Sequence, residues 1–310
     1  MPSSKPSCPS RGASPRLPSW LKVKPPMGEA FARTASVVAG QELHTVCRQA
    51  RCPNMAECFG KGVATFLILG GVCSRSCGFC NVTPGMPGPV DPGEPERVAQ
   101  AAAKLGLTYA VITSVTRDDL PDGGAAQFAA TIRAVRRELA APGPGTGAAG
   151  AGRAGVSGIG VEVLIPDFQG DAGALGAVLD ARPDVLNHNL ETVPELYATV
   201  RPQAVYSRSL ELLARAKARG AARTKSGLML GLGETREQLA RVLADLAEIG
   251  CDIVTVGQYL RPSRRNLPVA RYVPPEEFDE VAEIGRGLGI PVMYCGPLVR
   301  SSHDASSLLK

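Results

Sequence analysis

Aromatic residues are scarce in this sequence: one Trp, six Tyr and seven Phe make up 5% of 310 residues. No stretch interleaves them with basic residues, which excludes a platform for stacking nucleic-acid bases. No apolar run reaches the roughly 20 residues of a membrane span, so a soluble protein is expected. A secretory apolar segment is also missing, and the nine cysteines are an odd count, so a disulfide framework is not the reading. Clustered cysteines in a chain of this size point instead to metal ligands in a reducing compartment, and a cytoplasmic location is expected. The net charge of +5 is a mild bias, suited to docking an acidic partner and weak support for nucleic acid. With 44% hydrophobic and 20% charged residues, the chain can build a full core, and its length fits one barrel-sized domain with short extensions.

What the sequence does hold is organised around Cys73-Ser74-Arg75-Ser76-Cys77-Gly78-Phe79-Cys80, directly after the apolar run 64–72. Three thiols at a three-then-two spacing on one loop suit zinc or an iron–sulfur cluster. No fourth soft ligand follows in residues 81–85. A structural zinc site is closed by four ligands, so a zinc loop here needs a distant fourth one. A cubane held by three cysteines leaves one iron open to a small molecule. With Phe79 before the last cysteine, the loop resembles the signature of radical S-adenosylmethionine (SAM) enzymes. That resemblance implies a [4Fe–4S] cluster on Cys73, Cys77 and Cys80 that binds SAM and cleaves it to a 5′-deoxyadenosyl radical.

A second group, Cys47, Cys52 and Cys58, has a different spacing and is not a repeat of the first. Three thiols within twelve residues, in a loop broken by Pro53, suggest a second cluster that is again one protein ligand short. Buried inert cysteines are the plainer alternative. His44 is either a fourth ligand or a histidine packed against the fold. Cys251 and Cys295 lie outside both groups and read as small buried thiols.

Residues 1–19 are rich in Ser and Pro and contain no acid, which reads as a disordered tail; a transit peptide, and with it the plastid stroma, is the alternative. Residues 20–62 form an N-terminal extension, with Trp20 to Pro26 the first segment to dock. Over residues 63–290 strand-like and helical stretches alternate as parallel βα units. The expected strands are Thr65–Leu69, Tyr109–Thr113, Val161–Ile165, Val185–Leu186, Gly227–Gly231 and Ile253–Gly257. Thr235 and Gln238 form a capping box ahead of an apolar face of Leu239, Val242, Leu243, Leu246 and Ile249, with Gly250 as the stop. Pro95 opens another helix, with Val98, Ala102 and Leu105 inward. Six units fit an α/β fold of the partial (β/α)₆ type. Residues 141–158, nearly all Gly, Ala and Pro, read as a flexible surface insertion. The ligand site of a parallel barrel lies at the C-terminal strand ends. Five of these are polar here: the cysteine loop, Thr113–Asp119, Asn187–Thr192, Gly231–Glu234 and Gln258–Arg261.

Both cysteine groups, these strand ends and the C-terminal Gly296-Pro297-Leu298-Val299-Arg300-Ser301-Ser302 together resemble the lipoyl synthase family, over roughly residues 20–303. The resemblance implies that Cys47, Cys52 and Cys58 hold an auxiliary [4Fe–4S] cluster with Ser301, in a C-terminal segment 291–310, as its fourth ligand. It implies insertion of two sulfurs at C6 and C8 of a protein-bound octanoyl-lysine, drawn from the auxiliary cluster, with two SAM cleavages. Contacts to SAM are expected from Phe79, Thr113, Ser114, Asn187, Asn189, Glu191, Gly231, Glu234, Gln258, Tyr259 and Arg261. The implied partners are octanoylated lipoyl carrier domains, as in glycine-cleavage H protein or the E2 of 2-oxoacid dehydrogenases, a flavodoxin or ferredoxin-type electron donor, and an iron–sulfur carrier that rebuilds the cluster. Nucleic acid and membrane are not expected partners. His303, Asn266, Thr116, Gly71 and Gly78 depart from the family's usual residues and bear on carrier fit and rate. Competing readings are a sulfur-inserting radical SAM enzyme similar to biotin synthase, and a zinc-stabilised binding protein. Arg261, Arg264 and Arg265 either meet an acidic carrier or form a solvated basic loop.

Overall fold

The computed structural model describes residues 17–23, 28–61, 63–140, 160–303, 305 and 307. All but the last three residues of the expected tail, and the whole of the expected insertion, lie outside these. Seven parallel strands form the sheet: β1 (Thr65–Ile68), β2 (Tyr109–Ser114), β3 (Gly160–Leu164), β4 (Val185–Asn187), β5 (Thr224–Leu230), β6 (Ile253–Gln258) and β7 (Val292–Gly296). They are hydrogen-bonded in chain order, and β1 and β7 are not paired with each other, so the barrel is open. The two-residue strand His44–Thr45 runs antiparallel beside β1 and covers that edge. Six of the strands are each followed by a helix that packs outside the sheet, which gives the six expected βα units. β7 is an addition to the strands expected from the sequence.

Both faces of β1 are buried, as a parallel sheet covered by helices requires. Helix Glu94–Lys104 turns Val98 and Ala102 inward with Pro95 in its first turn, and Phe128 and Ile132 of helix Ala125–Ala140 are fully buried beside it. Helix Arg236–Glu248 begins with the expected box: Gln238 N donates to Thr235 Oγ1 at 3.3 Å and Thr235 N to Gln238 Oε1 at 2.8 Å. A smaller cluster of Val38, Cys47, Phe59 and Ala64 holds the N-terminal segment against the barrel. Leu21 docks and is buried, whereas Trp20 remains 40% exposed.

β5 begins three residues earlier than its apolar run because Lys225 and Ser226 are buried strand residues. Lys225 Nζ meets both oxygens of Glu162 in β3, at 3.0 and 3.1 Å, with neither side chain accessible. Asn187 Nδ2 and Tyr109 OH donate to the same carboxylate, each at 3.0 Å. The barrel is thus crossed below its mouth by a charged layer whose acceptors are well supplied with donors.

Candidate active site

The radical-type cysteine loop is tied to three parts of the barrel. Ser74 N donates to Thr116 O at 3.0 Å, and Thr116 N donates back to Cys73 Sγ at 3.3 Å. Gly78 N donates to Val200 O at 2.8 Å. From the far side, Leu267 N donates to Gly78 O at 3.0 Å, and Asn266 Nδ2 donates to Gly78 O and Cys80 O at 3.3 and 2.7 Å. Gly78 lies close beneath Leu267: a Cβ there would stand 2.8 Å from Leu267 Cδ1, so a larger residue would require the leucine side chain to shift. Asn266 is the side-chain clamp on the loop. Asn266→Ala leaves Cys80 O without its donor and is expected to cost about 1–3 kcal/mol of stability, read as a lowered denaturant midpoint at unchanged slope.

Arg75, between the first two cysteines, is buried and grips Asp118 through Nε (2.6 Å) and Nη2 (2.9 Å), and Asp167 through Nη2 (2.6 Å). Burial works against both charges, but the Arg75 hydrogen bond wins and holds the Asp167 carboxyl down at about 2. The pairing fixes the loop to the ends of β2 and β3, and Arg208, 3.2 Å from the other oxygen of Asp167, balances the second carboxylate.

Cys47, Cys52 and Cys58 lie on the two short helices Val46–Gln49 and Met55–Gly60 and the turn between them. The C-terminal segment crosses onto this loop, where Asn54 Nδ2 donates to Leu298 O at 2.7 Å and His303 Nε2 stands 3.7 Å from Glu57 Oε2. The segment passes over the end of β6 so closely that a Cβ on Gly257 would sit 2.0 Å from Val299 O. Only glycine allows that approach.

The result is one cavity of about 500 Å3 at the C-terminal strand ends, with all six of these cysteines and Ser301 in its wall. Burial pushes the thiols up, Cys77 and Cys58 to about 12 and Cys80 and Cys47 to about 11. A buried or half-buried cation serves each group. Arg201, held by Asn189 O and Leu190 O at 2.7 and 3.0 Å, favours the Cys77 thiolate, and Arg300 favours that of Cys52. Among the described residues no three His, Cys, Asp or Glu side chains are arranged around a single metal ion. A mononuclear zinc site needs that convergence. A four-iron cluster binds each thiolate to a different iron, and it suits these spread, cation-supported thiols.

Of the expected SAM contacts, Phe79, Thr113, Ser114 and Asn189 line the cavity, as do Glu191, Gln258, Tyr259 and Arg261. Several of these polar groups are already committed. Gln258 Nε2 serves three carbonyls and its Oε1 accepts from Val273 N, Tyr259 OH donates to Leu267 O, and Thr113 Oγ1 donates to Leu164 O. Ser114 Oγ and Asn189 Oδ1 are buried without a partner among the described residues, and they are the acceptors left for a ligand. Burial raises the Glu191 carboxyl, with the Arg201 charge acting in opposition. Asn187, Gly231 and Glu234 stand outside the cavity wall. Asn187 spends its amide on Glu162 in the layer below, and the Glu234 carboxylate accepts from Gly231 N and Leu232 N at 2.6 and 2.9 Å. His44 is exposed, bonded to Gln49 at 3.2 Å, and lies outside the wall too.

Three features of the site escaped the sequence reading: the buried guanidinium of Arg201, the half-buried one of Arg300, and His188. Burial lowers the His188 imidazole to about 4. Its Nδ1 faces Ile165 O at 2.8 Å, so that nitrogen carries the proton and Nε2 accepts from Ser209 Oγ at 2.9 Å. It is a neutral strut. The polar strand end Asn187–Thr192 was the available signal for it.

A family model described as the radical SAM superfamily matches residues 67–246, more than half of the chain, and one described as the N-terminal domain of lipoyl synthase of that family matches residues 7–52. A curated lipoyl synthase of Oleidesulfovibrio alaskensis is 57% identical over 295 residues, which are 95% of this chain and 95% of that one. That of Rubrobacter xylanophilus is 53% identical over 93% of this chain and 85% of its own. Among solved structures, Streptococcus suis SuiB bound to S-adenosylmethionine is similar with a TM-score of 0.55 at 11% identity, over 78% of this chain and 53% of that one, a likeness of fold alone. At this identity and coverage the chain belongs to the lipoyl synthase family, radical SAM enzymes that insert sulfur by means of SAM and [4Fe–4S] clusters, an auxiliary cluster among them.

Proposed function

We propose that Cys73, Cys77 and Cys80 hold the SAM-binding cluster, and that Cys47, Cys52, Cys58 and Ser301 hold the auxiliary one. The observation that carries this assignment is that two separate three-thiol groups and Ser301 share the wall of one cavity. When bound, the two clusters and SAM supply the reducing electron, the 5′-deoxyadenosyl radical and the sulfur placed at C6 and C8 of an octanoyl-lysine chain. The residues of the chain hold, orient and enclose. Arg75 and Asn266 fix the radical loop, while Ser114, Asn189 and Glu191 present the polar groups that remain for SAM. Arg201 and Arg300 offset buried negative charge at the two thiol groups. Ser301 Oγ stands 3.3 Å from Asn189 Nδ2, so the C-terminal segment reaches between the two halves of the site.

The family's substrates are octanoylated carrier proteins; for this chain we assign a lipoyl domain of the H-protein or E2 kind, a flavodoxin or ferredoxin-type donor, and an iron–sulfur carrier that renews the auxiliary cluster. No helix among the described residues is long and apolar enough to cross a membrane. We place the enzyme in the cytoplasm, with 20–62 as the auxiliary-ligand extension and the barrel running from 63 past the expected boundary at 290, because β7 (Val292–Gly296) belongs to its sheet; the closing segment then starts at 297. Protein purified without oxygen is expected to carry about eight irons and eight labile sulfides per chain and to convert an octanoyl-lysine peptide with SAM and dithionite. A colourless protein with stoichiometric zinc would overturn the assignment.

A further inference from the structure

Among the described residues, several surface arginines close onto carboxylates, for example Arg97 on Asp91, Arg137 on Glu96, Arg236 on Glu280 and Arg271 on Glu277. Four at the mouth of the cavity do not. Arg51 comes from the Cys47–Cys58 loop, and Arg261, Arg264 and Arg265 come from the loop after β6; all four are exposed. Arg51 and Arg261 are in the cavity wall. Three of the guanidiniums are held by main-chain carbonyls. Arg51 Nη1 donates to Pro262 O at 3.4 Å, Arg265 Nη2 to Asn81 O at 2.8 Å, and Arg261 to Asn266 O at 2.8 Å and to Arg264 O. Arg264 makes no side-chain hydrogen bond or ion pair among the described residues. A carbonyl orients a guanidinium without cancelling its charge. The mouth is therefore rimmed by an arc of unneutralised positive charge, three members of it held in place.

We infer that this arc is the docking surface for the carrier protein, and that it recognises an acidic patch on the carrier around its acylated lysine. This rests on the function proposed above and adds how the partner is recognised. The cavity behind the arc takes a chain that enters through it, so the body that delivers the chain must rest on the rim. Complementary charge at a rim governs encounter and is weakened by salt. A nucleic acid would also meet positive charge, but the chain has few aromatics, and Tyr259, the aromatic that ends β6, is buried with its hydroxyl bonded inward.

The test uses the loaded enzyme with dithionite as reductant, which removes any donor protein from the assay. It compares an octanoylated lipoyl carrier domain with a short octanoyl-lysine peptide. Arg264→Glu is expected to weaken the carrier Kd by ~10-fold at low salt and Arg264→Gln by less, with Arg264→Lys near wild type. The wild-type Kd should rise with NaCl, and Arg264→Glu should flatten that rise. Lipoyl formation on the peptide should be unchanged by all three. A carrier Kd that responds neither to salt nor to Arg264→Glu would overturn the docking surface, and so would equal losses on peptide and carrier at an unchanged Kd. A loss that appears only when a flavodoxin replaces dithionite would reassign the arc to the reductant. Wild-type enzyme that makes no lipoyl product from either substrate would overturn the underlying function, and this inference with it.

Discussion

Cys77→Ala is expected to abolish formation of 5′-deoxyadenosine, while Cys52→Ala leaves it largely intact and stops lipoyl formation. Each change removes one thiol from one of the two groups that share the cavity. Loss of a partner that merely orients a metal ligand costs ~10–100-fold, so loss of a ligand should exceed that and reach background. Cys77 is backed by Arg201 and lies in a loop fixed by Arg75 and Asn266, so Cys52→Ala does not disturb its mount. Ser301→Cys completes the set. Its oxygen is a harder donor than thiolate and more readily displaced from iron. A thiol there should preserve both clusters and SAM cleavage while lowering lipoyl yield. Iron content, 5′-deoxyadenosine and lipoyl product are measured side by side in single turnovers. Normal lipoyl yield from Cys52→Ala would remove that group as the sulfur source.

The largest expected effect on stability is remote from the chemistry. Lys225→Met leaves the Glu162 carboxylate inside the barrel without its cation and should cost about 3–5 kcal/mol, whereas the double change Lys225→Met with Glu162→Leu should recover much of it. Tyr109 and Asn187 would then face an apolar side chain, which limits the recovery. Denaturant titration of the single and double variants separates the two outcomes. A single variant as stable as wild type would show that the pair carries no structural weight.

The same pair marks a limit of what could be read from the sequence. Apolar runs located six of the seven parallel strands, but β5 was begun at Gly227 because Lys225 reads as a surface residue until Glu162, 63 positions away, is placed against it. β7 was missed for a different reason. Its run 292–295 lies between Pro291 and Gly296-Pro297 and so reads as part of the C-terminal segment, and in the fold it is an edge strand, mostly half-buried. The thiols were legible because ligand spacing is local chemistry, and Ser301 was reached through resemblance alone. Arg201 and Arg300 were not legible, since burial of an arginine is decided by elements distant in the chain. Asn187, Gly231 and Glu234 have the right residue types at strand ends. The Asn187 amide nitrogen is taken by Glu162 and the Glu234 carboxylate by a local turn, which no spacing reveals.

The bond from Asn54 to Leu298 joins residues 244 apart, and it has a consequence for the order in which the enzyme comes into being. A ribosome that adds ~5–20 residues per second needs roughly 12–50 s between those two residues. Throughout that interval the early thiols have left the ribosome without the segment that will cover them. Such a distant closure also carries the entropy of a very long loop and belongs among the last folding events. The early thiols therefore stay uncovered while most of the chain is being made, and the segment that closes over them reaches them only after Leu298 has been added.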